Sequence, residues 1–167
     1  MDDALYPLAE KTGQALKAKG WMLATAESCT GGWVGEIITA VPGSSSWYDR
    51  GFITYSNEAK QEMLGVQALT LQQSGAVSEE TAREMADGVL LHSHAEISLA
   101  ISGIAGPAGG SPGKPVGTVC FAWSTRDGAA SERCVKSESR LFPGDRREVR
   151  RQAVEHALRG VLALLQL

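Results

Sequence analysis

The sequence predicts one three-layer α/β/α domain on a mixed, partly antiparallel sheet, and three observations lead there. Helical and strand patterns alternate through the first hundred residues. Two strand patterns then follow each other across a turn signal. The chain of 167 residues shows no linker, repeat or low-complexity stretch between them. A chain of this size buries roughly 70% of its unfolded surface. Hydrophobic residues make up 43% and charged residues 21%, as in ordinary globular domains, so residues 1–167 are expected to fold as a single unit.

The elements follow in order. Leu5, Leu8, Ala9, Thr12 and Leu16 share one face of a helix over residues 3–19, which Gly20 stops. WMLATA, 21–26, reads as a buried strand, and a second helix is expected from near Thr30 to just before Pro42. WYDRGFITYS, 47–56, reads as a strand bulged at Gly51. Asn57 is the expected cap of a short helix, NEAKQEMLG, ended by Gly65. Residues 66–77 read as irregular. Ser78, with Glu79 and Glu80, opens a helix running to about His92. EISLAIS and VGTVCFAWST are strands, and the second turns at Arg126-Asp127-Gly128 into a third strand over 130–138. The last helix starts near Asp145, with Asp145 and Glu148 as an acidic capping pair. Val149, Ala153, Ala157, Gly160 and Leu164 form its expected buried stripe. At 100° per residue Arg146 falls on that stripe, Arg150 on its flank, and Arg147 and Arg151 outward.

Charge and composition exclude several function classes. The net charge is −3, whereas a general nucleic-acid binder is normally basic. Residues 136–159 hold seven Lys/Arg against four Asp/Glu, a local +3 on an acidic remainder, which suits a small anion better than a polymer. No apolar run reaches the ~18 residues of a membrane span, and the acidic start MDDALYPLAEK lacks the apolar stretch of a signal peptide. Cys29, Cys120 and Cys134 are odd in number and form no C-x-x-C pair, the pattern of a reducing cytoplasm. No His/Cys/carboxylate cluster has ligand spacing, so neither metal nor cofactor is expected.

The chemistry concentrates in loops. In AESCTGG, Ser28, Cys29 and Thr30 stand where a strand gives way to a helix, with Gly31 and Gly32 in its first turn. Unpaired N–H groups there can hold an oxyanion or phosphate, and open α/β sheets bind ligands at such strand ends. Capping by Ser28 or Thr30 is the bland alternative, and Glu27 is either a ligand-binding acid or a partner of the helix dipole. His92, His94 and His156 sit within or just after helices, so a Ser-His-Asp triad has no support. A lysine can act as base if its pKa is depressed. Lys60 in YSNEAK sits close to a helix start, where the dipole acts in that direction, and Tyr55 ends the preceding strand. The bland alternatives are a surface lysine and a core tyrosine. The loop SGIAGPAGGSPGKP is too long and too rich in glycine for a mere connection. It is neither a P-loop nor G-x-G-x-x-G, because Lys114 is followed by Pro115.

Four segments together, AESCTGGWVGEIIT, PGSSSWYDRGFITYSNEAKQEMLGV, GAVSEETAREMA and ISGIAGPAGG…KPVGTV, closely resemble the CinA C-terminal family over residues 7–160. The resemblance implies a nicotinamide-nucleotide amidohydrolase, the activity of members lacking the extra N-terminal domain of longer CinA proteins. Such enzymes convert nicotinamide mononucleotide (NMN) to nicotinate mononucleotide and ammonia. Carried over by motif, the serine nucleophile is Ser28, the lysine base Lys60 and the assisting tyrosine Tyr55. Gly31 and Gly32 are the expected oxyanion donors. Glu27, Thr30, Asn57, Ser102, Gly103, Ala105 and Gly106 are the other expected substrate contacts. Arg146 is expected to meet the phosphate, or else a carboxylate in the core or at a subunit contact. The expected partners are a small nucleotide and a second copy of the chain in a homodimer. Two rivals stand beside this reading: a non-catalytic nucleotide-binding module, and hydrolysis of a different amide by the same pair.

Overall fold

The computed structural model describes residues 4–126 and 133–166. Its five strands are β1 (Leu23–Glu27), β2 (Tyr48–Ile53), β3 (Ile97–Gly103), β4 (Thr118–Arg126) and β5 (Arg133–Leu141), in the order β2-β1-β3-β4-β5. β2 and β3 run parallel to β1, and β4 and β5 are antiparallel additions. Six α-helices cover the sheet: α1 (Tyr6–Lys19), α2 (Trp33–Thr39), α3 (Asn57–Leu64), α4 (Ala68–Ser74), α5 (Glu79–Leu91) and α6 (Arg146–Leu165).

The two faces differ in the size of their side chains. Leu23, Ile97, Leu99, Ile101, Val119, Phe121 and Trp123 meet α1, α2 and α6 in one core. Alternate residues of the same strands point the other way and are small: Ala24, Ala26, Ala100, Cys120 and Ala122. Small residues let α5 lie close to the sheet. Its Ala86 and Asp87 accept hydrogen bonds from the buried Ser98 and from Ser124. α3 and α5 thus complete the third layer.

The chain leaves β1 for β2 on one side and later returns to β3 on the other. β1 is therefore the switch point of the parallel part, where α/β sheets form ligand crevices at their carboxyl ends. Ser28 follows β1, Thr54 and Tyr55 follow β2, and the glycine loop follows β3. Three chain segments with no neighbourhood in sequence are brought to one end of the sheet.

Several local expectations need correction. The irregularity in β2 lies at Asp49, because Leu23 pairs with Tyr48 and Ala24 with Arg50, while Gly51 is in register with Thr25. α3 is capped by Ser56, whose side chain accepts from Ala59 N, so Asn57 is its first residue and Lys60 its fourth. Residues 66–77 are not wholly irregular: α4 forms, anchored by Gln67 N on Glu84 Oε1 and by Leu71 against the core. α2 begins at Trp33 rather than Thr30. In α6 the buried stripe is Val149, Ala153, Val154, Ala157, Leu158, Val161 and Leu162. Gly160 and Leu164 are only half-buried. Arg146 is exposed and, among the described residues, faces no carboxylate partner. Asp145 caps this helix through Glu148 N, as its position implies, while the Glu148 carboxylate turns to Arg151. Arg126 belongs to β4, and the rest of the expected turn, Asp127 and Gly128, lies outside the described residues.

Candidate active site

Ser28 is held at the end of β1 by its N–H, which donates to Ile101 O on β3 at 3.0 Å. Its hydroxyl lies 3.1 Å from Lys60 Nζ. Lys60 is 1% exposed. Its amine also donates to Thr54 O at 2.8 Å and, more weakly, to Tyr55 O at 3.5 Å. These three oxygen partners are a hydroxyl and two carbonyls, none of them a carboxylate. Burial without a counter-charge disfavours the ammonium. Desolvation accordingly pulls the Lys60 pKa below the ordinary lysine value, opposed only by the nearby Cys29 thiol. The amino end of α3 lies one turn away and acts in the same direction.

Geometry separates the three candidate nucleophiles. The Thr30 hydroxyl donates to Glu27 Oε1 at 2.6 Å. The Cys29 thiol is pushed up to about 11, first by burial, which leaves it protonated at neutral pH. Ser28 alone meets an amine whose pKa is depressed.

Other expected site residues take different places. Glu27 is buried and accepts from Val34 N and Gly35 N besides Thr30, so it caps α2 from inside. Gly31 and Gly32 have φ of 59° and 102°, values that a side chain would strain, and they turn the chain into α2. The Gly31 N–H donates to Ser28 O at 3.1 Å, which removes it as an oxyanion donor. Asn57 is exposed at the start of α3 and does not line the cleft. Ser102 does reach the cleft, yet its hydroxyl donates to Ala76 O at 2.7 Å.

The cleft above Ser28 and Lys60 has a volume of about 280 Å³, at the small end of ligand pockets. Tyr55 and Arg146 form its rim, and Gly103, Ala105 and Gly106 its glycine-loop wall. Gly106 has φ 85°, and a Cβ there would overlap Val116. Arg146 bridges the mouth, donating to Gly106 O at 2.7 Å and to the Tyr55 hydroxyl at 3.2 Å. Tyr55 is 65% exposed; it meets Lys60 through its backbone carbonyl and Arg146 through its hydroxyl. His92 pairs with Gly88 O and His156 with Glu138, and no histidine lines the cleft. Among the described residues no group of three or more His, Cys, Asp or Glu could hold a metal, and no helix is long and apolar enough to cross a membrane.

Sequence reasoning missed Arg150. It donates to Cys29 O at 3.0 Å and to Thr30 O at 3.2 Å, and its guanidinium stands over Trp33. It therefore clamps the turn that carries Ser28. Helical periodicity put it on a flank but could not show a contact 121 residues away.

The family model of the CinA C-terminal domain matches residues 5–165. The chain belongs to that family. A relative from Escherichia coli strain K12, named nicotinamide-nucleotide amidohydrolase PncC, is 55% identical over 157 residues, covering 94% of this chain and 92% of that protein. A protein of the same name from Pseudomonas putida is 49% identical over 162 residues, covering 97% and 98%. A CinA-like protein from Syntrophobacter fumaroxidans is 48% identical over 151 residues, but these are only 34% of its length. Among solved structures, the competence/damage inducible protein CihA of Agrobacterium tumefaciens matches with a TM-score of 0.89 at 42% identity, covering 98% of this chain and 96% of that one. A Klebsiella pneumoniae CinA-superfamily protein matches with 0.90 at 41%, covering 96% and 97%. The mixed α/β sheet is thus the family's fold.

Proposed function

We propose that this CinA-family chain is an amidohydrolase that cleaves the carboxamide of NMN, with Ser28 as nucleophile and Lys60 as base. The observation that carries the reading is the buried amine of Lys60, without a carboxylate, 3.1 Å from Ser28 Oγ. The names of the full-length relatives supply the substrate.

In the neutral amine two N–H bonds point to Thr54 O and Tyr55 O, and the lone pair is left for Ser28. The Ser28 O–H then donates to Nζ. Ser28 Oγ bonds to the carboxamide carbon while its proton passes to Lys60. The oxyanion is taken by the N–H of Cys29, the residue after the nucleophile, and Arg150 steadies the turn by donating to the Cys29 carbonyl in the next peptide. Ala105 and Gly106 of the glycine loop line the same cleft. Lys60 returns the proton to the leaving nitrogen as the C–N bond breaks, and ammonia departs. Water, deprotonated by Lys60, cleaves the acyl ester, freeing nicotinate mononucleotide and Ser28. Tyr55 assists from the rim through its carbonyl on Lys60, and its hydroxyl, held by Arg146, faces the bound nucleotide. Arg146 has further N–H groups for the phosphate. Glu27 and Thr30 shape the turn, and Ser102 acts on the wall described below. The reaction needs no metal or cofactor. We place the chain in the cytoplasm, in keeping with its three free cysteines, as a homodimer, which size-exclusion chromatography with light scattering tests.

Ammonia release from NMN, measured beside nicotinamide, nicotinamide riboside and unrelated amides, tests the function. Turnover of NMN well above the others is expected. Turnover of another amide alone, or of none, would remove the reading.

A further inference from the structure

The segment 74–77, which belongs to no strand and only at Ser74 to a helix, carries one wall of the catalytic cleft at its Ala76 and Val77. Ala76 and Val77 line the cleft beside Ser28 and Lys60. Three consecutive carbonyls of this segment are each held by a side chain from a different part of the fold. Lys114 Nζ donates to Ser74 O at 2.7 Å. Ser78 Oγ and Thr81 Oγ1, at the start of α5, donate to Gly75 O at 2.9 and 2.7 Å. Ser102 Oγ, from β3, donates to Ala76 O at 2.7 Å. Ser74 O lies at the carboxyl end of α4, where an ammonium is favoured. Behind the wall is a second cleft of about 400 Å³ that also touches Ser74, Val77 and Lys114. Val77 is therefore a thin partition with open space on both sides.

We propose that Lys114 is a positioning residue for substrate binding. It ties the wall at 74–77 to the glycine loop that forms the facing wall, and so fixes the width of the catalytic cleft. Ser78, Thr81 and Ser102 act from the body of the fold. Of the four donors, Lys114 is the one carried on the glycine loop beyond the end of β3, so it couples that part of the loop to the wall, while Ser102 holds Ala76 from the strand. Without it the partition can retreat toward the second cleft. The loop lysine then has a use unrelated to a phosphate loop: its charge is spent on a helix carbonyl outside the cleft, and it touches neither Ser28 nor Lys60. Loosening the wall weakens substrate binding and leaves the chemistry intact.

The kinetic part of the test rests on the NMN reading; the exchange part does not. Lys114→Met keeps most of the stem and removes the donor, whereas Lys114→Arg keeps a charged donor. In Lys114→Met, amide hydrogen exchange in residues 75–78 is expected to rise about tenfold or more, as for loss of a charge-assisted hydrogen bond. Exchange in β3 and the middle of α5 stays as in the wild type. KM for NMN is expected to rise by about tenfold with kcat within about twofold, and Lys114→Arg to recover much of both effects. Unchanged exchange in 75–78 overturns the latch. Faster exchange with an unchanged KM overturns its role in the cleft, and so does a loss confined to kcat. If the wild type releases no ammonia from NMN, the functional reading fails and the exchange comparison alone decides the latch.

Discussion

Replacing Lys60 with methionine separates the base from the space it fills. Met has a similar length and fits an apolar stem, so the fold is kept while the amine is lost. Loss of a positioned general base costs about 10²–10⁴-fold in rate, or roughly 3–5 kcal/mol in the barrier. The stability balance has terms of both signs. The variant loses donors to Thr54 O and Tyr55 O, about 0.5–1.5 kcal/mol for each bond of full strength. It also removes a buried amine whose charged form the fold disfavours. A lysine lowered in the folded state binds a proton more readily when unfolded. Between its folded value and the ordinary ~10.5 the unfolded chain holds more protons, so wild-type stability should climb with pH across that window. The methionine variant lacks this climb. Two assays check the reasoning: kcat/KM for NMN by ammonia release from pH 5 to 10, and urea denaturation at the same pH values. Wild-type activity should rise with pH along a limb whose midpoint lies below the ordinary lysine value. The variant should be at least about a hundredfold slower. A variant with more than a tenth of wild-type activity, or a wild type whose stability falls across the window, would refute the argument.

Cys29→Ala should keep ammonia release within about threefold, since the thiol stays protonated and buried; loss of turnover would bring the thiol back as nucleophile. Arg146→Ala should cost about 1.5–3 kcal/mol in kcat/KM for NMN and little for nicotinamide riboside, which lacks the phosphate. An equal loss for both would assign Arg146 to the cleft mouth alone, through Gly106 O and Tyr55. Thr54→Val should leave stability to urea unchanged or raised, because among the described residues Thr54 Oγ1 is buried without a partner; a loss of more than about 1 kcal/mol would show that the hydroxyl has one.

What the sequence disclosed was what local chemistry decides. Gly20 and Gly65 end α1 and α3 in the left-handed conformation, and Ser78 and Asp145 cap α5 and α6. The face of Leu5, Leu8, Ala9, Thr12 and Leu16 is buried as its spacing implies. Asn57 misled because both it and Ser56 are good caps, and only the extended backbone of Ser56 settles which one acts. α4 was missed because it buries no residue of its own and rests on Glu84 and the core from outside. In the site, strand-end placement and the family motif singled out Ser28 and Lys60. The buried side of Glu27 was not legible, because a carboxylate at a helix start can turn outward to a ligand or inward to N–H groups. Nor was the wall at 74–77, two of whose carbonyls are held by donors 26 and 40 residues away. Periodicity describes one element at a time, and these contacts arise only when several are packed.

The central claim is that Ser28, activated by Lys60, hydrolyses the carboxamide of NMN. Ammonia release from NMN by the wild type and by Ser28→Ala, with thermal unfolding of both, tests it most directly. The account predicts steady release by the wild type and none above background by Ser28→Ala, at unfolding temperatures within a few degrees of each other. Normal release by a folded Ser28→Ala would contradict it.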